Sequence, residues 1–291
     1  MLKGRIVKAL SGFYYVECDE KIYQCRARGR FRKKDQKPVV GDFCEFSYEE
    51  GSDGYILSLS PRKNELVRPP ICNIDQALLV FSAKEPDFSS LLLDRFLIVI
   101  ESLNIEPIIC ISKVDLVSKE EIEKTLGPYI KANYQVYFIS SLNQEGIQEI
   151  KTVFKDKVTV VTGQSGVGKS SLLNALDIKL NIDTNEISKA LGRGKHTTRH
   201  VELLKMHGGL VGDTPGFSSL ELTIDPLDLA VSYHDFKALS HQCKFRGCLH
   251  DKEPHCAVKQ AVEEGLISQE RYEHYLIFLK ECKENKERRY G

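Results

Sequence analysis

The residues with the clearest chemical content are Gly163, Gln164, Ser165, Gly166, Val167, Gly168, Lys169 and Ser170, which follow the pattern G-x-x-x-x-G-K-[ST] and run on through Ser171. Glycines let backbone N–H groups curl around phosphate oxygens, the lysine brings a cation to the β- and γ-phosphates, and the serine hydroxyl suits magnesium. The apolar run from Val158 to Thr162 predicts a strand just before the motif, and Leu172 to Leu176 predicts a helix just after it. A chance glycine-rich turn would lack that context.

Four further segments complete the nucleotide site expected from the sequence. Leu210 to Gly212 leads into Asp213-Thr214-Pro215-Gly216, where the carboxylate of Asp213 approaches a bound metal and the Gly216 N–H approaches the γ-phosphate. Between the two motifs, Gly192 to Arg199 is polar and glycine-punctuated, as a nucleotide-ordered loop should be, with Thr198 or, second, Thr197 closing on magnesium. Ile108 to Asp115 reads as a buried strand ending in Ser112-Lys113-Val114-Asp115. Asp115 can accept from both N1–H and N2–H₂ of guanine, a donor pair that adenine lacks, and Lys113 packs along the nucleotide. Ser140 and Ser141, at the end of another strand, fit a loop that buttresses the base. The guanine segments precede the phosphate loop, the reverse of the usual order, so the chain is expected to be circularly permuted.

Cys243, Cys248, His250 and Cys256 place three thiols and one imidazole within fourteen positions, the ligand set of a closed, structural zinc site. His241 and His255 are lower-ranked alternatives to His250. The other six of the nine cysteines are scattered, which reads as reduced thiols.

These groups need elements to hold them. Short alternating runs at 4–9, 13–18, 22–27, 42–48 and 54–59 predict a small β-barrel of OB type, and the proline-containing stretch Ser60 to Pro70 reads as a linker. Strands at 77–81, 107–111, 135–140 and 158–162 alternate with helices at 89–104 and 119–132, which implies a parallel α/β sheet. The last third is rich in His, Cys and helix formers and ends in a stretch where Tyr272, Leu276 and Leu279 share a helical face. The expected organisation is multidomain: an OB-fold RNA-binding barrel at 1–65, a circularly permuted P-loop GTPase domain at 66–220, and a helical zinc-binding domain at 221–291.

With 42% hydrophobic and 28% charged residues, the chain is too apolar to be disordered. Its apolar runs are too short for a membrane span, and MLKGRIVKAL lacks the apolar core of a signal peptide, so a cytoplasmic placement without membrane contact is expected. Net charge is zero, yet from Lys21 to Lys37 eight Lys or Arg residues face one acid, Asp35. Within that run Arg28, Arg30, Phe31, Arg32, Lys33 and Lys34 combine cations with an aromatic ring, the makings of an RNA-contacting loop.

Taken together, the barrel pattern, Ser112 to Asp115 ahead of Gly163 to Ser170 ahead of Asp213 to Gly216, the Gly192 to Arg199 loop and the Cys₃His cluster resemble the RsgA (YjeQ/YloQ) family of ribosome-small-subunit-dependent GTPases along essentially the whole chain. The resemblance implies late maturation of the small ribosomal subunit, contact with its rRNA, GTP hydrolysis stimulated by that subunit, release after hydrolysis, one structural zinc and magnesium with GTP. Two positions depart from common GTPase practice: Ser112 stands where Asn is frequent, and Phe217 where Ras-like switches carry a water-orienting Gln. Intrinsic hydrolysis is therefore expected to be slow. His196 is the candidate for positioning the attacking water, with a solvated or RNA-contacting histidine as the competing reading, while Lys169 and Thr198 serve the transferring phosphoryl group. The rival reading is a passive rRNA-binding assembly factor that keeps GTP as a structural ligand. A single chain is the expected working state.

Overall fold

A computed structural model describes residues 1–27, 31, 37–67, 69–177, 201–213, 222 and 224–290. Along the chain the strands are β1 Leu2–Leu10, β2 Phe13–Cys18, β3 Lys21–Ala27, β4 Phe43–Ser47, β5 Gly54–Leu59, β6 Glu65–Leu66, β7 Ile71–Cys72, β8 Gln76–Ser82, β9 Glu106–Ser112, β10 Gln135–Phe138, β11 Val158–Thr162, β12 Val201–Met206 and β13 Gly209–Asp213. The helices are α1 Ser90–Ser102, α2 Lys119–Lys131, α3 Ile147–Lys151, α4 Lys169–Leu176, α5 Pro226–Leu229, α6 His234–Ser240, α7 Ala257–Glu263 and α8 Gln269–Tyr290. They fall into two compact units, Met1–Gln76 with Ile147–Thr162 and Lys169–Phe217, and Ala77–Gly146 with Gly163–Gly168 and Ser218–Gly291.

In the first unit β1 pairs with both β2 and β4, β3 runs parallel to β5, and β5 returns antiparallel to β4, which closes a five-stranded barrel of the expected OB type. Alternation puts Ile6, Val16, Cys25, Phe46 and Ile56 inside, all at 0% exposure. Two-residue turns, Ser11-Gly12 and Asp19-Glu20, join the first three strands with all four residues at positive φ, the geometry that suits twisted hairpins. The stretch read as a linker is packed against the barrel. Arg62 reaches the buried Asp42 carboxylate with Nε and Nη2, both at 2.8 Å, and also takes Glu65 and the Lys37 carbonyl.

The same unit holds part of the α/β sheet: β11 pairs in parallel with β13, and β13 pairs antiparallel with β12 through the His207-Gly208 turn. β12 then pairs with barrel strand β1, Lys8 opposite Glu202 and Ala9 opposite Val201. A Lys8–Glu202 ion pair at 3.1 Å and one between Lys205 and Glu17 reinforce that join.

In the second unit β9 lies between β8 and β10 and is parallel to β10. Every residue of β8 is buried, as a strand covered on both faces requires. Helices α1 and α2 begin at Ser89 and Ser118, whose hydroxyls accept from the N–H groups of Leu92 and Glu121.

The buried side of α8 differs from the expected face. Arg271, Tyr275, Phe278, Leu279 and Cys282 are buried, whereas Tyr272 and Leu276 are only half-buried on its flank. Arg271 is 1% exposed and donates to Asp94 at 3.1 Å, Asp235 at 2.6 Å and the Tyr134 hydroxyl at 3.3 Å. Three tyrosine rings, of residues 129, 134 and 233, surround its guanidinium, so a buried cation is held by two carboxylates and aromatic faces.

Beside it, burial pushes the Glu101 carboxyl up from 4.5 to about 8, against the opposing hydrogen bond from the Tyr134 hydroxyl. The folded state thus keeps a proton that the unfolded chain releases near its ordinary carboxylate value. Stability from this group is present below that value and is lost as pH rises towards 8. Glu101→Gln is therefore expected to raise Tm more at pH 8 than at pH 5; thermal unfolding at the two pH values checks it, and an equal shift would contradict the assignment.

Candidate nucleotide site and metal centre

Three of the expected nucleotide segments are brought together inside the second unit. Ser112 ends β9 and Lys113 to Asp115 follow it, and the 3-10 turn Val114–Leu116 leaves Asp115 exposed. The Val114 N–H donates to the Ile139 carbonyl at 3.3 Å, and the Ile139 N–H donates to the Ile111 carbonyl at 2.8 Å. These bonds place Ser140 and Ser141 beside the Asp115 loop. The Ser140 hydroxyl accepts from the Asn143 N–H at 3.1 Å, and its own N–H donates to the Glu145 carbonyl, which fixes the turn.

The phosphate loop meets the guanine loop through Ser112. Its buried hydroxyl lies 2.5 Å from the Val167 carbonyl and 3.1 Å from that of Phe81. With one proton, the hydroxyl donates to only one of them, and Val167 is the nearer. Serine therefore makes one strut to the phosphate loop from the position where Asn is frequent. At the loop's start Gly163 has φ +148°, and a Cβ there would sit 2.0 Å from the Val80 carbonyl, so a side chain is excluded. Beyond Gly168, Lys169 and Ser170 open α4, so the N-terminal turn of a helix follows the loop, a favourable place for phosphate.

In the first unit the β11–β13 register sets the Asp213 backbone opposite Val161, two residues before the loop. Thr197, Thr198, His196, Gly216 and Phe217 lie outside the described residues, as do Arg28, Arg30, Arg32, Lys33 and Lys34. Phe31 is described, and it corrects the expectation of an aromatic base contact: its ring is buried at 8% exposure.

The metal ligands converge as expected. Cys243, Cys248, His250 and Cys256 offer ligand atoms that all lie within 4.8 Å of one another. The Cys243 and Cys256 sulfurs are 3.9 Å apart, and His250 Nδ1 is 3.7 Å from Cys243 and 3.2 Å from Cys256. A tetrahedral zinc with bonds of about 2.3 Å to sulfur needs edges of roughly 3.8 Å, so the four donors fit. His250 Nε2 lies 3.1 Å from the Ala230 carbonyl, and donation there leaves Nδ1 as the free lone pair. Burial holds the imidazole below its ordinary value, in the neutral form a metal requires. His241 and His255 are both exposed and are not part of the cluster.

Sequence reasoning missed the groups that seat this centre. The Tyr272 and Tyr275 hydroxyls donate to the carbonyls of His250 and Leu249 at 2.7 and 2.6 Å, and Glu253 accepts from the N–H groups of Leu249 and Asp251. The aromatic spacing in α8 was the available signal. Ala230 acts through its backbone and had none.

A strand, a phosphate loop, a helix and an S-K-x-D guanine loop earlier in the chain define a circularly permuted P-loop GTPase. The family models for the RsgA GTPase and the RsgA N-terminal domain match residues 59–223 and 3–56. The small ribosomal subunit biogenesis GTPase RsgA of Bacillus subtilis is 54% identical over 99% of this chain and 100% of its own length. That of Halalkalibacterium halodurans is 53% identical over the full length of both. The crystal structure of YloQ, described as a circularly permuted GTPase, superposes with a TM-score of 0.83 at 49% identity over 98% of this chain and 96% of that one. YjeQ from Thermotoga maritima gives 0.82 at 36% identity over 97% and 98%. The chain belongs to the RsgA GTPase family. No described helix is long and apolar enough to cross a membrane.

Proposed function

We propose that this chain hydrolyses GTP on the small ribosomal subunit during late maturation, with hydrolysis stimulated by the subunit and release following it. The observation that carries the reading is the Ser112 bond to the Val167 carbonyl, which joins guanine loop to phosphate loop despite their inverted order. The names of its full-length relatives supply the subunit. In this reading residues 1–65 bind rRNA, with Arg28, Arg30, Arg32, Lys33 and Lys34 as its cations, residues 66–220 hydrolyse GTP, and residues 221–291 fold around zinc. The chain works as a cytoplasmic monomer.

Asp115 selects guanine, with Lys113 along the base and Ser140 and Ser141 behind it. Backbone N–H groups from Gly163 to Ser171 cradle the phosphates, and Lys169 stabilises charge on the transferring phosphoryl group. Ser170, Thr198 and Asp213 hold magnesium, directly or through water. Magnesium, when bound, neutralises charge shared by the β- and γ-phosphates. The Gly216 N–H meets the γ-phosphate. Phe217 cannot orient water, so His196 is given that task. His196→Ala is expected to cut subunit-stimulated turnover by about 10² or more, the contribution of a positioned proton-handling group, while GTP affinity stays within about twofold. Unchanged stimulation would remove His196 from the mechanism.

Multiple-turnover phosphate release with purified small subunits tests the whole reading. Release that accelerates with subunits is the expected result. One bound GTP per chain without turnover would favour a passive rRNA-binding factor instead.

A further inference from the structure

We propose that Ser82 is a positioning residue for nucleotide binding: its hydroxyl closes a corner at residues 82–86 whose Glu85 carbonyl holds the Lys113 ammonium next to the phosphate loop. The inference rests on reading residues 112–115 as the guanine loop. Ser82 is the last residue of β8, 2% exposed, and has no place in the chemistry above. Its hydroxyl donates to the Pro86 carbonyl at 2.6 Å, spanning the turn, and the next N–H, of Ala83, donates to the Ser112 carbonyl at 2.9 Å. The corner is thereby tied to itself and to the first residue of the guanine loop.

Two features show what the corner positions. Lys113 sits at φ +56°, and its ammonium donates to the Glu85 carbonyl, with Glu85 itself at φ +58°. Non-glycine residues adopt that left-handed region when surrounding bonds hold them there. The other face of the corner reaches the phosphate loop, because a Cβ built on Gly166 would meet Pro86 Cδ at 3.8 Å. A lysine stem has four methylenes, and an ammonium anchored at its tip leaves that stem fewer conformations to lose when a base packs along it. The corner therefore reduces the ordering that nucleotide binding would otherwise require. The backbone of Glu85, not its carboxylate, carries the contact, so residue 85 gives no sequence signal for it.

Release of a fluorescent GDP from the full-length chain, followed after mixing with excess unlabelled GDP, tests this in a four-member cycle. Ser82→Ala loses one hydrogen bond and is expected to release GDP about fivefold faster. Lys113→Met is expected to release it faster still. In the double variant, Ser82→Ala should add less than about twofold, because the ammonium it positions is gone. Parent-rate release from Ser82→Ala, or effects that multiply in the double variant as general loosening would produce, overturns the proposal and leaves the guanine loop standing. Parent-rate release from Lys113→Met overturns the guanine-loop reading and this inference with it.

Discussion

Asp115→Asn is expected to weaken GTP binding about a thousandfold and to make xanthosine triphosphate the better ligand. The carboxylate accepts from N1–H and N2–H₂ of guanine through two charge-assisted hydrogen bonds. At about 2 kcal/mol each, their loss amounts to about 4 kcal/mol, or three decades in affinity. An amide keeps only a weaker, neutral bond from N1–H to its carbonyl, and its NH₂ then faces the N2 amino donor, so neither charge-assisted bond survives. Xanthine carries a carbonyl oxygen where guanine carries the amino group, so the same NH₂ becomes a partner. The exposed position of Asp115 at the end of β9 leaves its carboxylate accessible to a base. Titrations of the variant with both triphosphates check the exchange. Loss of both affinities in parallel would mean that Asp115 supports the loop without reading the base.

Removing zinc is expected to unfold the segment around Cys243 to Cys256 while the barrel persists. Between α6 and α7 this segment has no regular element, and α7 starts directly after Cys256, which is its N-cap. Few backbone bonds therefore hold the turn in shape, and the four ligands supply the missing constraint. Structural zinc in small finger peptides contributes on the order of 10 kcal/mol of apparent free energy, comparable with the whole stability of a domain. Tyr272 and Tyr275 donate to carbonyls of this segment, so their anchors are lost with it. Hydrogen exchange after chelation should show lost protection at residues 243–256 and in the first turns of α8, with barrel amides unchanged. Protection that survives chelation would mean that the turn folds on its own contacts.

The parts of this molecule that could be read from residue types are those where chemistry constrains spacing. The Cys₃His cluster and the phosphate loop need particular atoms at particular intervals, and the barrel strands alternate because one face is buried. The pairing of β1 with β12 could not be read, since an edge is joined by backbone groups that every residue carries. Val201 to Met206 mixes Glu and Lys among apolar residues, so no strict alternation marks it as a strand. The buried face of α8 is hidden from a polarity pattern because Arg271 counts as polar, yet it is the most deeply paired cation among the described residues. Phe31 is the converse case: its basic neighbours suggest surface, while its ring is buried. The Ser112 strut lay between the two, because the motif was legible and its bond to Val167 was not.

The most direct test of the account is a structure of the chain with a non-hydrolysable GTP analogue and magnesium. The account predicts that the Asp115 carboxylate meets the guanine N1–H and N2–H₂ while the Lys169 amine meets the β- and γ-phosphates of the same molecule. A nucleotide bound with its base away from Asp115, or with Lys169 turned towards another cavity, would contradict it.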